Sequence, residues 1–462
     1  MKRMLLLLTV LAELLLTSAL CESITDAEPS CRVWLNGQEI TIHETAVSHQ
    51  RYWTAEPELS TTPVGIATCA GRCEVEIEFL HAQADSAVVR PLALGIVPEM
   101  RDGRVCFTLD QPANLTIEYN GQVEGALHLF VDEPDADKPD PDAPKVRYYG
   151  PGVYRDVIIT PRSNETIYLD EGCVIYGQIF CGLGKGFTIA GHGVLCGSIY
   201  DRYADTIVPI SLTNCSDFTI RDITILDPSA WTVNLLKCKN ATIDNVKIVS
   251  ARSNSDGFTF QNCQSITVTN SFVRSWDDSL VVKGYNGDVS GIVFDGCTLW
   301  TDLAQSCEIG YETRAKVIED ITFRNITVLH NFHKPVISIH NSDQAAVRHV
   351  TFENIVVEDA QMGEGDGTPY LIDLTTTESQ WSASLIRGTI DGVTIRNVAV
   401  LSGKKPAIRI WSNDESSRID HVTISGLTIL GEEISSFDQL VYEASPHNGE
   451  SIRFADEEVT QE

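Results

Sequence analysis

A short motif recurs through the second half of this 462-residue chain: an apolar residue, a threonine, then a second apolar residue. It stands as Phe218-Thr-Ile220, Ala241-Thr-Ile243, Ile266-Thr-Val268, Ile321-Thr-Phe323, Val350-Thr-Phe352, Val393-Thr-Ile395 and Val422-Thr-Ile424. Steps of 23 and 25 residues separate the first three copies, and steps of 29 follow later. Several copies lead into a polar pair and a second β-branched run, as in Arg221-Asp-Ile-Thr-Ile225 and Arg324-Asn-Ile-Thr-Val328. A unit this short cannot bury its own apolar side, so successive copies must stack into a solenoid. Period-2 alternation makes the units strands rather than helices, and the Asn, Asp and Gly between them supply turns. The expected fold is all-β, a right-handed parallel β-helix over residues 146–445. A step of 43 residues between Phe352 and Ile395 implies an inserted loop, in which Gly363-Glu-Gly-Asp-Gly367 reads as flexible.

The N-terminal part has a different pattern. Residues 28–131 carry short alternating runs such as Cys73-Glu-Val-Glu-Ile-Glu-Phe79, bounded by Gly, Pro and Asp. Such runs indicate strands with one buried side, and their number suggests a small β-sandwich preceding the helix, read as a structural appendage. Residues 132–145 are rich in proline and aspartate, which disfavour regular pairing and repel one another, so an extended acidic linker is expected.

The chain opens with Met1-Lys2-Arg3 and an apolar stretch to Leu20, the pattern of a secretory signal peptide over residues 1–21. No later stretch approaches the ~20 apolar residues that span a bilayer. A secreted protein, extracellular or periplasmic, is expected, acting as a monomer without membrane association. A net charge of −30 repels polyanions and weighs against nucleic acid as a partner. It also weighs against a uniformly uronic polymer as substrate. The cysteines permit disulfides in an oxidising compartment, with Cys31, Cys69, Cys73 and Cys106 able to form a closed set. Cys215, Cys238 and Cys263 hold one place in successive repeats, which suggests a stacked internal row as readily as a set of bridges. Cys69 and Cys73 lack the second close pair that a zinc site requires, so neither metal nor cofactor is expected.

Chemistry is expected where acids cluster on adjoining repeats. Asn254-Ser255-Asp256 is followed one coil later by Asp277-Asp278. Residues one coil apart lie about 4.8 Å from each other, so Asp256 and Asp277 can reach one groove. Asp278 can join them only if the pair sits in a turn before Leu280, because neighbours within a strand point to opposite sides. Carboxylates gathered in this way can protonate a leaving oxygen and activate a water, which is the requirement of glycoside hydrolysis. Asp and Asn also serve simply as turn residues.

Within this repeat, Asn254-Ser255-Asp256, Asp277-Asp278 and Lys283 resemble the clan of polygalacturonases (glycoside hydrolase family 28) and dextranases (family 49). Asp227-Pro-Ser-Ala-Trp231 and Leu236-Lys-Cys-Lys-Asn240 are similar to the stretch before the first catalytic motif of family 28, while the N-terminal sandwich looks more like family 49. The resemblance implies an inverting hydrolase of α-glycosidic bonds, with Asp277 as general acid and Asp256 and Asp278 holding and deprotonating the water. Asn254, Lys283, Gln305, Glu308 and Tyr311 would bind a polysaccharide or oligosaccharide substrate. Trp231, Trp276 and Trp300 are candidates to stack on sugar rings. The chain departs from family 28 at the expected Gly-His-Gly, where Ala304–Gly310 has no histidine. The usual Arg-Ile-Lys also has no counterpart near Val336–His340, and Arg409-Ile-Trp411 is only a late echo. Loss of the guanidinium clamp for carboxylates favours a neutral or mixed glycan over a galacturonan. His333 and His340 could replace the missing histidine or be hydrogen-bonded structural residues.

Overall fold

The computed structural model describes residues 28–455; the expected signal peptide lies outside the described residues. From Val146–Tyr149 to Ile452–Phe454, 29 strands form one continuous sheet wound on itself as a right-handed parallel β-helix. One coil consists of Phe258–Gln261, Gln264–Thr269 and Phe272–Ser275. Each pairs in parallel with its counterpart in the next coil: Leu280–Gly284, Val289–Asp295 and Thr298–Thr301.

The repeated motif marks one row of this ladder. Phe218, Ala241, Ile266, Ile292, Ile321, Val350, Val393 and Val422 stand in register on successive coils. The apolar residues of each motif point inward, while the threonine between them is only partly covered. Ile292-Val-Phe294 belongs to the same row, with valine where the other copies have threonine. Inside, Phe260, Phe294, Phe323 and Phe352 form a stack with centroid spacings of 5.4, 5.0 and 5.0 Å. Of the two readings of the cysteine row, stacked thiols are what forms: those of Cys238 and Cys263 donate to the Leu212 and Leu235 carbonyls at 3.3 and 3.4 Å. The twelve cysteines among the described residues are free thiols. Cys31 pairs with Phe79 while Cys73 pairs with Leu109, a register that holds these two thiols far apart on neighbouring strands. Turns between strands rely on left-handed asparagines. Asn325, Asn354 and Asn397 have φ of 55°, 54° and 56°, and their side chains bond to one another from coil to coil at 3.0 and 3.1 Å.

Residues 31–132 build two five-stranded sheets around a shared apolar core. The second sheet lies on the helix. Val47, Val64, Ala126 and Phe130 pack against Leu226, Val249, Phe272 and Trp300. Those helix strands are buried on both sides, so they lack alternation. Buried charges cross the same contact: Lys247 Nζ is 2.5 Å from Asp132 Oδ2, and Arg90 pairs with Glu118 at 2.7 Å and Glu358 at 2.8 Å. The acidic segment after Asp132 is not a free spacer. Asp135 pairs with Arg221 and Lys138 with Asp170, at 3.1 and 2.7 Å, so partners on the helix neutralise the repulsion that would have extended it. The glycine-rich insertion is likewise docked: Asp366 N donates to the Arg51 carbonyl at 3.3 Å. Glu364 also pairs with the Arg51 guanidinium at 3.3 Å.

Candidate active site

One row of the helix carries the candidate site: Phe258–Gln261, Leu280–Gly284, Cys307–Thr313, Ile337–Asn341, Tyr370–Thr375 and Ala407–Trp411 stack in parallel. The acids lie in the turns that enter these strands. Phe258 pairs with Leu280, so Asp256 and Asp278, each two residues earlier, occupy the same place on successive rungs. Gly257 N donates to the Asp278 carbonyl at 2.8 Å. Asp277 is one position earlier and therefore diagonal to Asp256. Residues 276–279 form a bend ahead of the strand, which frees Asp277 and Asp278 from pleat alternation. All three carboxylates line one cavity of 170 Å³.

Their surroundings differ. Asp256 is 2% exposed, accepts from Thr259 Oγ1 at 3.1 Å, and has Lys283 Nζ at 3.9 Å. Burial pushes its carboxyl up to about 7; Lys283 opposes that rise, and the negative charges of Asp277 and Glu312 add to it. Asp278 is also buried, accepts from Gln305 N at 3.1 Å, and is pushed well above the carboxylate range by burial and then by Asp277 and Asp256. Asp277 is more open. Its two oxygens accept from Asn254 N at 3.2 Å and from Asp278 N at 3.0 Å, and its carbonyl accepts from Ser275 Oγ at 2.7 Å.

Asn254 lines the cavity, but its left-handed backbone (φ 56°) is what aims its N–H at Asp277. Its side-chain oxygen accepts from Arg202 at 2.8 Å. Lys283 pairs with Asp256 and, at 3.1 Å, with Glu312. Gln305 and Tyr311 both line the cavity and are joined by a hydrogen bond of 3.1 Å. Glu308 departs from the expectation of a groove residue: it is 0% exposed, bonded to Ser338 and held by His340 at 2.9 Å. Between the core residues Cys307 and Ile309 it faces the outer side of its strand, where Ser338 and His340 of the next rung cover it. His340 also reaches Asp373 at 3.2 Å and stacks flat against Tyr311 at 4.4 Å. Burial opposes its charge, but Glu308 and Asp373 hold the imidazolium up to about 10. His333 is tied to the Leu303 carbonyl and to Asp366 at 2.8 and 2.7 Å. Both histidines are thus built into hydrogen-bonded structure.

Of the aromatic candidates, Trp231 lines the cavity, whereas Trp276 and Trp300 are buried, their indole N–H groups bonded to Gln50 O and Asp302. Arg409 lies outside the cavity, its guanidinium held by both oxygens of Asp373 at 2.8 and 2.7 Å. Several cavity residues carry no signal in the sequence pattern, among them Trp53, Glu312, Lys334 and Trp381. Trp53 and Trp381 stand in irregular segments, which periodicity does not read, and Lys334 precedes its strand by a few residues. Among the described residues no group of three or more His, Cys, Asp or Glu could hold a metal ion.

The sequence profile of "Glycosyl hydrolases family 28" matches residues 201–445, which includes every acid above. "Probable rhamnogalacturonase B" of Aspergillus fumigatus is 25% identical over 197 residues, covering 42% of this chain and 34% of that protein. "Probable rhamnogalacturonase A" of Aspergillus oryzae is 23% identical over 224 residues, 47% of this chain and 44% of that protein. The chain thus spans less than half the length of these curated relatives. In fold it is similar to Dex49A from Penicillium minioluteum, with a TM-score of 0.66 at 16% identity, covering 92% of this chain and 93% of that one. With the profile covering more than half of its residues, this chain belongs to glycosyl hydrolases family 28.

Proposed function

We propose that the chain is an exported, inverting hydrolase of α-linked polysaccharide in which Asp277 is the general acid and Asp256 with Asp278 position and deprotonate water. The observation that carries this reading is the rung-stacked pair Asp256 and Asp278 with Asp277 set diagonally, all lining one cavity. Inversion requires acid and base to be about 6.5–9.5 Å apart, with room for a water. Stacked neighbours about 4.8 Å apart suit the shared grip on that water, and the diagonal residue suits the acid. Asp277 is the most open of the three, where a glycosidic oxygen can reach it. Burial, with mutual repulsion added to it, keeps a proton on the Asp256–Asp278 pair near neutrality. With that proton moved to Asp277 and the pair ionised, Asp277 passes it to the leaving oxygen as the C–O bond breaks. Water then adds to the opposite side of the anomeric carbon, giving its proton to the Asp256–Asp278 pair.

The cavity also bears on substrate. Lys283 is committed to Asp256 and Glu312, whereas Lys334 forms no ion pair among the described residues and leaves one positive charge facing the sugar. A single such charge suits a glycan with intermittent uronic acids better than one with a carboxylate on every ring. The rhamnogalacturonase names of the relatives agree with that mixed composition. The 28–131 sandwich, packed on the 146–445 helix and contributing Trp53 to the cavity, acts with it as one catalytic unit.

A panel of rhamnogalacturonan, polygalacturonan and dextran, with reducing-end detection and NMR of the first-formed anomer, tests the proposal. Rhamnogalacturonan hydrolysis with inverted product is expected, and Asp277→Asn should lower turnover by at least about 10³-fold with an unchanged melting temperature. Retained configuration, or an active Asp277→Asn protein, defeats it.

A further inference from the structure

The catalytic row has two edges, and each is overhung by a pinned segment that brings one tryptophan into the cavity. On the entering edge, residues 48–56 from the N-terminal sheets lie across successive turns. Ser253 Oγ and Tyr203 OH donate to the Ala55 carbonyl at 2.7 and 2.8 Å, and Trp276 Nε1 donates to Gln50 O at 3.3 Å. Arg51 reaches the Asp302 carbonyl at 2.9 Å and covers the Phe332 ring at 3.9 Å. This segment carries Trp53. On the leaving edge, residues 376–388 fold back over the preceding coils. Ala383 N and Ser384 N both donate to Asp343 Oδ1 at 2.7 Å, Ser382 Oγ donates to Ser342 O at 2.6 Å, and Arg314 reaches Trp381 O at 3.3 Å. This segment carries Trp381.

Trp53 is 50% exposed and Trp381 44% exposed, although both line the cavity with the three aspartates. Large aromatic side chains held half-open by fixed backbone offer flat apolar surfaces, which match the C–H faces of a sugar ring. At 170 Å³, the space is below the roughly 300–1,000 Å³ of pockets that enclose drug-sized ligands. It accepts about one ring and not a continuous run of chain.

We infer that Trp53 and Trp381 form an aromatic clamp across the row that receives the terminal residue of a glycan, making this a chain-end-cutting enzyme whose N-terminal segment 48–56 supplies one side of the clamp. The inference rests on the hydrolase reading above and adds to it the mode of attack and two specificity residues. A ring held between the two edges presents its glycosidic oxygen to the acids on the floor, while the remaining chain leaves through the opening.

The test follows viscosity and reducing ends together on the rhamnogalacturonan, polygalacturonan and dextran panel, with chromatography of early products. Chain-end attack gives one short product from the outset and little loss of viscosity as reducing ends accumulate. Trp53→Ala and Trp381→Ala should each raise KM by about 10-fold or more with kcat changed far less, and Trp53→Phe and Trp381→Phe should restore most of the loss. Rapid viscosity collapse with mixed oligosaccharides, or an unmoved KM in both alanine variants, overturns the clamp. Binding is read separately in the Asp277→Asn protein by tryptophan-fluorescence titration with oligosaccharides cut from the same three polymers. Quenching that vanishes in the alanine variants supports the clamp even where turnover is absent, and that outcome would defeat the hydrolytic roles alone. No quenching with any of the three defeats the clamp.

Discussion

Replacing Asp256 with asparagine should make the protein more stable as pH rises, while removing its activity. In the folded chain the Asp256 carboxyl is pushed up to about 7 by burial and by neighbouring negative charge, from 3.8. A carboxyl raised on folding opposes the fold wherever the unfolded chain would ionise it. The penalty is absent below pH 3.8, grows between 3.8 and 7, and is complete above 7. At 1.36 kcal/mol per pKa unit, the full cost is about 4 kcal/mol, of which well under 1 kcal/mol is present at pH 4. Asparagine keeps the shape and can still accept from Thr259, but it carries no charge to bury. The stability of Asp256→Asn relative to wild type should therefore improve by about 3 kcal/mol between pH 4 and pH 7. At about 2.1 cal/mol/K per residue, a chain of this length moves by only about 1 °C per kcal/mol, so chemical denaturation at several pH values is the better assay. A difference between the two proteins that stays flat across this range would refute the argument that Asp256 is a buried, repelled carboxyl. A difference that shrinks with pH would show that Lys283 outweighs burial and that the carboxylate is stabilised.

Lys283→Met removes the positive charge that opposes the rise at Asp256 and leaves Glu312 to add to it. The acidic limb of kcat/KM should accordingly shift to higher pH, as a pH–rate profile will read. His340, held up to about 10 between Glu308 and Asp373, contributes stability that is full below its ordinary 6.5 and is lost as pH rises through 10. The advantage of wild type over His340→Gln, measured by denaturant titration, should thus narrow steadily between pH 7 and pH 10. Phe323→Ala opens a gap in the stack of Phe260, Phe294, Phe323 and Phe352 and should cost about 3–5 kcal/mol, with KM unchanged in whatever protein remains folded.

The repeat and the acids were readable because a β-helix is nearly one-dimensional. Phe218, Ala241 and Ile266 face inward for a local reason, period-2 alternation, and each coil meets only its neighbours. Position in the repeat therefore fixes position in space, which is how Asp256 and Asp277 could be brought together from their spacing alone. The coil at Ile292 escaped because one valine broke the pattern without breaking the strand. The strands around Leu226, Val249 and Phe272 could not reveal their covering, since burial on both sides erases alternation.

Contacts between segments far apart in the chain were decided only in three dimensions. The sequence determined a solenoid and the rung that carries the acids. Tertiary structure decided that Glu308 is covered by His340, that Lys283 pairs with Asp256, and that Asp132 and its neighbours bind the helix instead of spanning a gap. It also decided that Trp53, some two hundred residues before Asp256, stands beside it. Periodicity records which side of a strand is dry, but an irregular segment has no period, and its place is set by partners that the local sequence does not name.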